Sequence, residues 1–170
     1  MTPSLRKLVL SVHLTFSVGW IGAAAGYLGL GVAAVRSQDD AVVRAAWTAM
    51  ELTGWFVIVP FAVLSLLTGV VMAIGTKWGL LRHYWVVISF MLTTFSVVIL
   101  VVHMPSVSAT AEMAQSAQGA ALKALGGDLG HPAIGLVILL VVQVLNVYKP
   151  RGMTRYGWKK QHEHARGGPS

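Results

Sequence analysis

The chain has no cysteine, and thirteen basic and six acidic residues are its only formal charges. Without cysteine there can be no disulfides, thiolate zinc sites, iron–sulfur clusters, thiol redox chemistry or covalent haem attachment. Charged residues make up 11% of the 170 residues and hydrophobic ones 55%. Soluble domains carry about 25% charge, so an ordinary water-exposed surface cannot be built from this composition. Phosphate-binding Gly-Lys-Ser/Thr signatures are missing too, as is any readable nucleophile–base–acid triad.

What the chain does have is long apolar runs. Leu8 to Val35, Leu52 to Thr76, His83 to Met104 and Pro132 to Tyr148 each have the length and composition of a membrane span. About twenty mainly apolar residues cross the hydrocarbon core as a helix, with about seventeen as the lower limit. Lipid offers backbone N–H and C=O groups no partner, so the spans must be helical. The expected fold is an all-α membrane protein, a four-transmembrane-helix bundle over residues 1–150 followed by a basic tail, 151–170. Arg6, Lys7 and Ala23-Ala24-Ala25 imitate a cleaved signal peptide, but the apolar run continues to Val35, which favours a retained first helix.

Ten of the thirteen basic residues fall before span 1, between spans 2 and 3, or in the tail, which assigns both termini to the cytoplasm. The net charge of +7 is thereby explained by topology and anionic lipid rather than nucleic acid. The expected setting is the lipid bilayer of the plasma membrane, with the basic tail on anionic headgroups. Between spans, the sequence suggests a short polar loop around Ser37–Arg44. A longer connection follows from Pro105 to Gly130, with a surface helix over 111–125 broken by Gly126-Gly127-Asp128.

Span 1 has two faces at 100° per residue: His13, Ser17, Trp20, Ala24 and Tyr27 on one, Gly19, Gly22, Gly26 and Gly29 on the other. The glycines suit close packing against a neighbouring helix, and Pro60 suits a kink in span 2. Ionisable residues in spans are functional candidates. His13 and His83 lie about 13–16 Å to the cytoplasmic side of their helix centres, and His103 and His131 about 13 Å to the outer side. One imidazole pair at each depth can supply the axial ligands of haem b, giving one or two haems. His83 and His103 stand about 200° apart on a straight helix, which works against both facing one groove. A single haem, or interfacial histidines without haem, therefore remain alternatives. The His103-Met104 pair and seven methionines admit copper as competing chemistry, although the methionines are scattered. His162-Glu163-His164 is a weak metal candidate in the tail.

Trp78-Gly79-Leu80-Leu81-Arg82-His83-Tyr84-Trp85-Val86 and Val147-Tyr148-Lys149-Pro150-Arg151-Gly152-Met153-Thr154 resemble a family of actinobacterial four-helix integral membrane proteins that carries a domain-of-unknown-function label. Ser89 stands where that resemblance leads one to expect Lys. His13-Leu14 followed by Trp20-Ile21-Gly22 is similar to the first helix of the copper-resistance D proteins and of the membrane protoporphyrinogen oxidases that bind haem b. That second resemblance implies a ligand role for His13 alone. The functional expectation is a haem-b protein carrying electrons within or across the membrane, with a quinone or other redox partner. The alternatives are a non-redox assembly subunit, which would suit an oligomer, and a small copper or metal permease.

Overall fold

A computed structural model describes residues 1–76 and 79–159; Lys77, Trp78 and the end of the tail, including Lys160, His162, His164 and Arg166, lie outside the described residues. The elements are α1 (Pro3–Arg36), α2 (Asp40–Thr53), a π-helical turn (Gly54–Ile58), α3 (Val59–Gly75), α4 (Tyr84–Ser116), α5 (Gly119–Ala124) and α6 (Gly130–Tyr148). Four helical rods are long and apolar enough to cross a membrane: Pro3–Arg36, Asp40–Gly75, Tyr84–Ser116 and Gly130–Tyr148. The protein is thus an all-α four-helix bundle. Consecutive rods are neighbours and the ring closes, because α1 packs against both α3 and α6, and α4 against both α3 and α6. With four crossings, the start of α1 and the end of α6 come to the same end of the bundle, where Arg6 and Lys149 lie.

Two rods reach about a dozen residues further than the apolar runs suggest. The segment around Ser37–Arg44, expected as a loop, is a turn of only three residues before α2 starts at Asp40. Asp39 caps that start, its Oδ1 accepting from the Ala41 N–H at 2.8 Å. Likewise α4 runs through Pro105 instead of stopping at Met104. The proline removes one backbone bond, and packing outweighs that loss. Val107, Ala111 and Ala114 are buried in one cluster with Val43, Ala46, Trp47 and Met50 of α2. The surface helix expected over 111–125 shrinks to α5, since residues 111–116 belong to α4. Arg44 fastens this cap by donating to the Ala117 carbonyl at 2.9 Å. Asp40 accepts from the Gly119 N–H at 2.9 Å.

Pro60, where the sequence suggests a kink, stands just after a π turn. The π turn immediately before it admits one extra residue, with the Val59 N–H bonded to the Gly54 carbonyl, and the rod continues. Gly54 lies against Met104 there: a Cβ would press on the end of the Met104 side chain, which is 1% exposed and would have to shift.

The glycine face of α1 does not behave as one surface. A Cβ on Gly19 would run into the Phe61 ring, 2.5 Å away, whereas Gly22, Gly26 and Gly29 have nothing within 4 Å of theirs. Those three face outward rather than into a neighbouring helix of the chain. The opposite face follows the helical arithmetic: Trp20, Ala24 and Tyr27 are buried.

The beginning of the tail is joined to the bundle rather than separate from it. Thr154 N–H donates to the Arg82 carbonyl at 3.0 Å and its hydroxyl to the Leu81 carbonyl at 2.6 Å. Met153 forms an antiparallel bridge with His83.

Candidate functional site

The buried core is concentrated toward the end away from the termini, and the half nearer the termini is hollow. A cavity of about 620 Å³ lies between α1, α3, α4 and α6. Met1, Arg6 and Lys149 line it at the basic end, and Trp20, Ile21 and Leu139 line its depth. From Arg6 to Ile21 is about 22 Å along a helix axis. Apolar side chains make most of the wall, joined by Trp85 and Phe90, while His13, Ser17, Ser65, Ser89 and Thr93 add polar atoms. The Ser89 hydroxyl is buried without a hydrogen-bond partner among the described residues.

His13 is held in one orientation. Its Nδ1 is 3.1 Å from the Ser65 carbonyl and 3.0 Å from the Thr68 hydroxyl. A carbonyl can only accept. The Thr68 hydroxyl gives its own hydrogen to the Leu64 carbonyl at 2.6 Å, so it too accepts from His13. Nδ1 must therefore carry the hydrogen, and in the neutral ring Nε2 holds the lone pair. Histidines that ligate metals are characteristically oriented this way, with the distal N–H on a backbone carbonyl. Gly69 makes the room: a Cβ there would lie 3.1 Å from His13 Cε1. Beside it, Ser17 and Ser65 join their hydroxyls at 2.8 Å.

At the other end of the bundle a second polar group assembles around Asp128, in the turn between α5 and α6. Its Oδ2 lies 2.7 Å from His103 Nε2 and accepts from the Tyr27 hydroxyl at 3.0 Å. Its Oδ1 lies 3.5 Å from His131 Nδ1. The imidazoles of His103 and His131 stack, with centroids 3.7 Å apart and planes at 23°. The turn is positioned by backbone contact. A Cβ on Gly31 would sit 2.7 Å from the Asp128 carbonyl oxygen, and one on Gly127 would collide with the Gly31 carbonyl. Trp47 Nε1 donates to the Gly126 carbonyl at 3.3 Å, and Gly126 itself takes φ +62°, a conformation glycine adopts without strain. On one face of α1, Trp20 at the cavity and Tyr27 at the Asp128 group are about 10 Å apart, with buried Ala24 between them.

The four histidines expected as ligands therefore separate. His103 and His131 come together, but as a stack around a carboxylate. Axial haem ligands aim a nitrogen at the iron from opposite faces of the macrocycle; rings 3.7 Å apart leave no slot for one. His83 takes part in the joint with the tail and does not line the cavity. Among the described residues, no second histidine lines the cavity with His13. Met104 is a core residue packed over Gly54, so the His103-Met104 pair is not a joint metal site. Adjacent helical residues also point about 100° apart. The residue that sequence reasoning passed over is Asp128, taken only as part of a helix break. Its spacing of three from His131 was the available signal. No family model, curated protein or solved structure matches the chain.

Proposed function

We propose that this integral membrane protein binds a single haem b in the cavity near its termini, with His13 as the axial histidine, and serves in membrane redox chemistry. The observation that carries the reading is the state of His13. Its Nδ1 hydrogen is committed to Ser65 and Thr68, and its Nε2 lone pair remains for iron. The rest of the donor set fits. Apolar and aromatic walls suit a macrocycle, and Arg6 and Lys149 at the mouth suit the two haem carboxylates. When bound, the haem supplies one-electron chemistry. The protein's part is to hold the imidazole in one tautomer, exclude water through Leu139, Val142 and Trp20, and keep the charged edge at the basic mouth. On this reading a second haem near the outer end is abandoned, and with it a two-haem path across the membrane. Any electron partner, a quinone included, would meet the haem from the cytoplasmic side.

The visible spectrum of the full chain purified from haem-replete cells tests this. A Soret band with sharp reduced α and β bands is expected, lost in His13→Ala and kept in His103→Ala and His131→Ala. A colourless native protein would sink the reading, and so would an unchanged spectrum in His13→Ala.

A further inference from the structure

The Asp128 group does not belong to the cavity and needs a role of its own. Its three ligand-capable residues, His103, Asp128 and His131, offer one atom each, all within 4.8 Å of one another. We propose that these residues form a site for a divalent transition-metal ion of the borderline class, such as Zn²⁺, at the end of the bundle away from the termini.

Three observations carry the assignment. The first is distance. A tetrahedral ion bound at about 2.0–2.2 Å holds neighbouring nitrogen and oxygen ligands about 3.3 Å apart. His131 Nδ1 and Asp128 Oδ1 are 3.5 Å apart, too long for a good hydrogen bond and close to that ligand separation. His103 Nε2 and Asp128 Oδ2, at 2.7 Å, are at hydrogen-bond distance; binding an ion would displace the shared hydrogen and open this pair by a few tenths of an ångström.

The second is chemistry. Two imidazoles and one carboxylate suit borderline ions, not the hard Ca²⁺ or Mg²⁺ nor the soft Cu(I). Three protein ligands leave a fourth position open, as in exchangeable or catalytic sites rather than closed structural ones. The His131 side chain is 58% exposed and that of Asp128 only 9%, so the site is rooted inside and open on one flank.

The third is the surrounding support. The Tyr27 hydroxyl donates to Asp128 and fixes its carboxylate, the kind of outer contact that orients a ligating group. The Gly31–Gly127 approach and the Trp47–Gly126 bond hold the turn carrying Asp128 before any ion arrives. An ion here would join α4 to the start of α6, and binding the folded state alone would stabilise the bundle.

Calorimetric titration of the chelator-treated full chain in detergent with Zn²⁺ tests the proposal. His162→Ala/His164→Ala serves as a background free of tail histidines. One Zn²⁺ per chain is expected in both the native protein and that background. His131→Ala and Asp128→Asn should each weaken binding at least about tenfold, and Tyr27→Phe by roughly tenfold. His131 is half exposed, and Asn can still accept from Tyr27, so these variants should keep the fold, which circular dichroism verifies. Absence of saturable uptake would overturn the site. Affinity unmoved by either ligand variant would do so as well, as would loss of uptake in the tail background. Because His13→Ala should titrate like the native protein, failure of the haem reading and failure of this one are separable.

Discussion

Tyr27 and Asp128, 101 residues apart in sequence, meet at 3.0 Å, phenol to carboxylate, and so tie the first span to the turn that starts the fourth. The acceptor oxygen is the one His103 also contacts, so three elements share one carboxylate. Hydrogen bonds to a charged group contribute about 1.5–3 kcal/mol. Tyr27→Phe should therefore lower the thermal midpoint in detergent, by an amount consistent with a loss in that range. Phe16→Leu, a change of similar scale outside the Asp128 group, should not weaken Zn²⁺ binding. Equal loss of zinc affinity in both variants would show that Tyr27 acts through general packing alone.

Substitutions of the α1 glycines and of Gly127, in the turn that packs on α1, should divide into two groups. Gly31→Ala and Gly127→Ala place a methyl against backbone, which cannot swing aside, and should each destabilise by about 1–3 kcal/mol. Gly22→Ala and Gly26→Ala enter open space and should be neutral or slightly stabilising, since alanine favours the helix. Thermal unfolding of the four variants would show this order, and similar losses in all four would contradict it.

At Gly69 the effect should be spectroscopic. A methyl there lies 3.1 Å from His13 Cε1, so Gly69→Ala must tilt or shift the imidazole by a few tenths of an ångström. Haem should be retained with a displaced reduced α band or an altered midpoint potential. The same measurement on Gly26→Ala, which touches nothing, should match the native protein.

Topology follows from charge. Reporter fusions at both termini should read cytoplasmic, and one inserted near Gln118, in the turn ahead of α5, should read external. The reverse pattern would move the His13 cavity to the outer face and the Asp128 group to the inner.

The number of spans and the buried face of α1 were legible because both rest on hydrophobicity read along one segment. Trp20, Ala24 and Tyr27 are buried where a 100° step puts them. The lengths of the second and third rods were not. Residues 40–53 include Asp40, Arg44 and Glu51, and Pro105 reads as a stop. Their helicity comes from each other, through Trp47 and Met50 against Val107 and Ala111, which a single segment cannot reveal. The sites divide in the same way. His13 stood out by its depth, but its tautomer is set by Ser65 and Thr68, fifty-two and fifty-five residues away. Asp128 was obscured by the glycines before it, whose turn conformation makes its position.

The π turn at Gly54–Ile58 sets the angular phase between the two halves of the second rod. Each residue in an α-helix advances the side chains by about 100°, so the one extra residue there decides which way α2 faces once α3 is seated. In the phase it gives, Trp47 and Met50 are buried in one cluster with Val107 and Ala111 of α4. Removing a single residue from this turn would leave the membrane span intact while changing the facing of α2 about the rod axis. Trp47 would then swing away from Gly126, and the turn that presents Asp128 would lose one of its anchors.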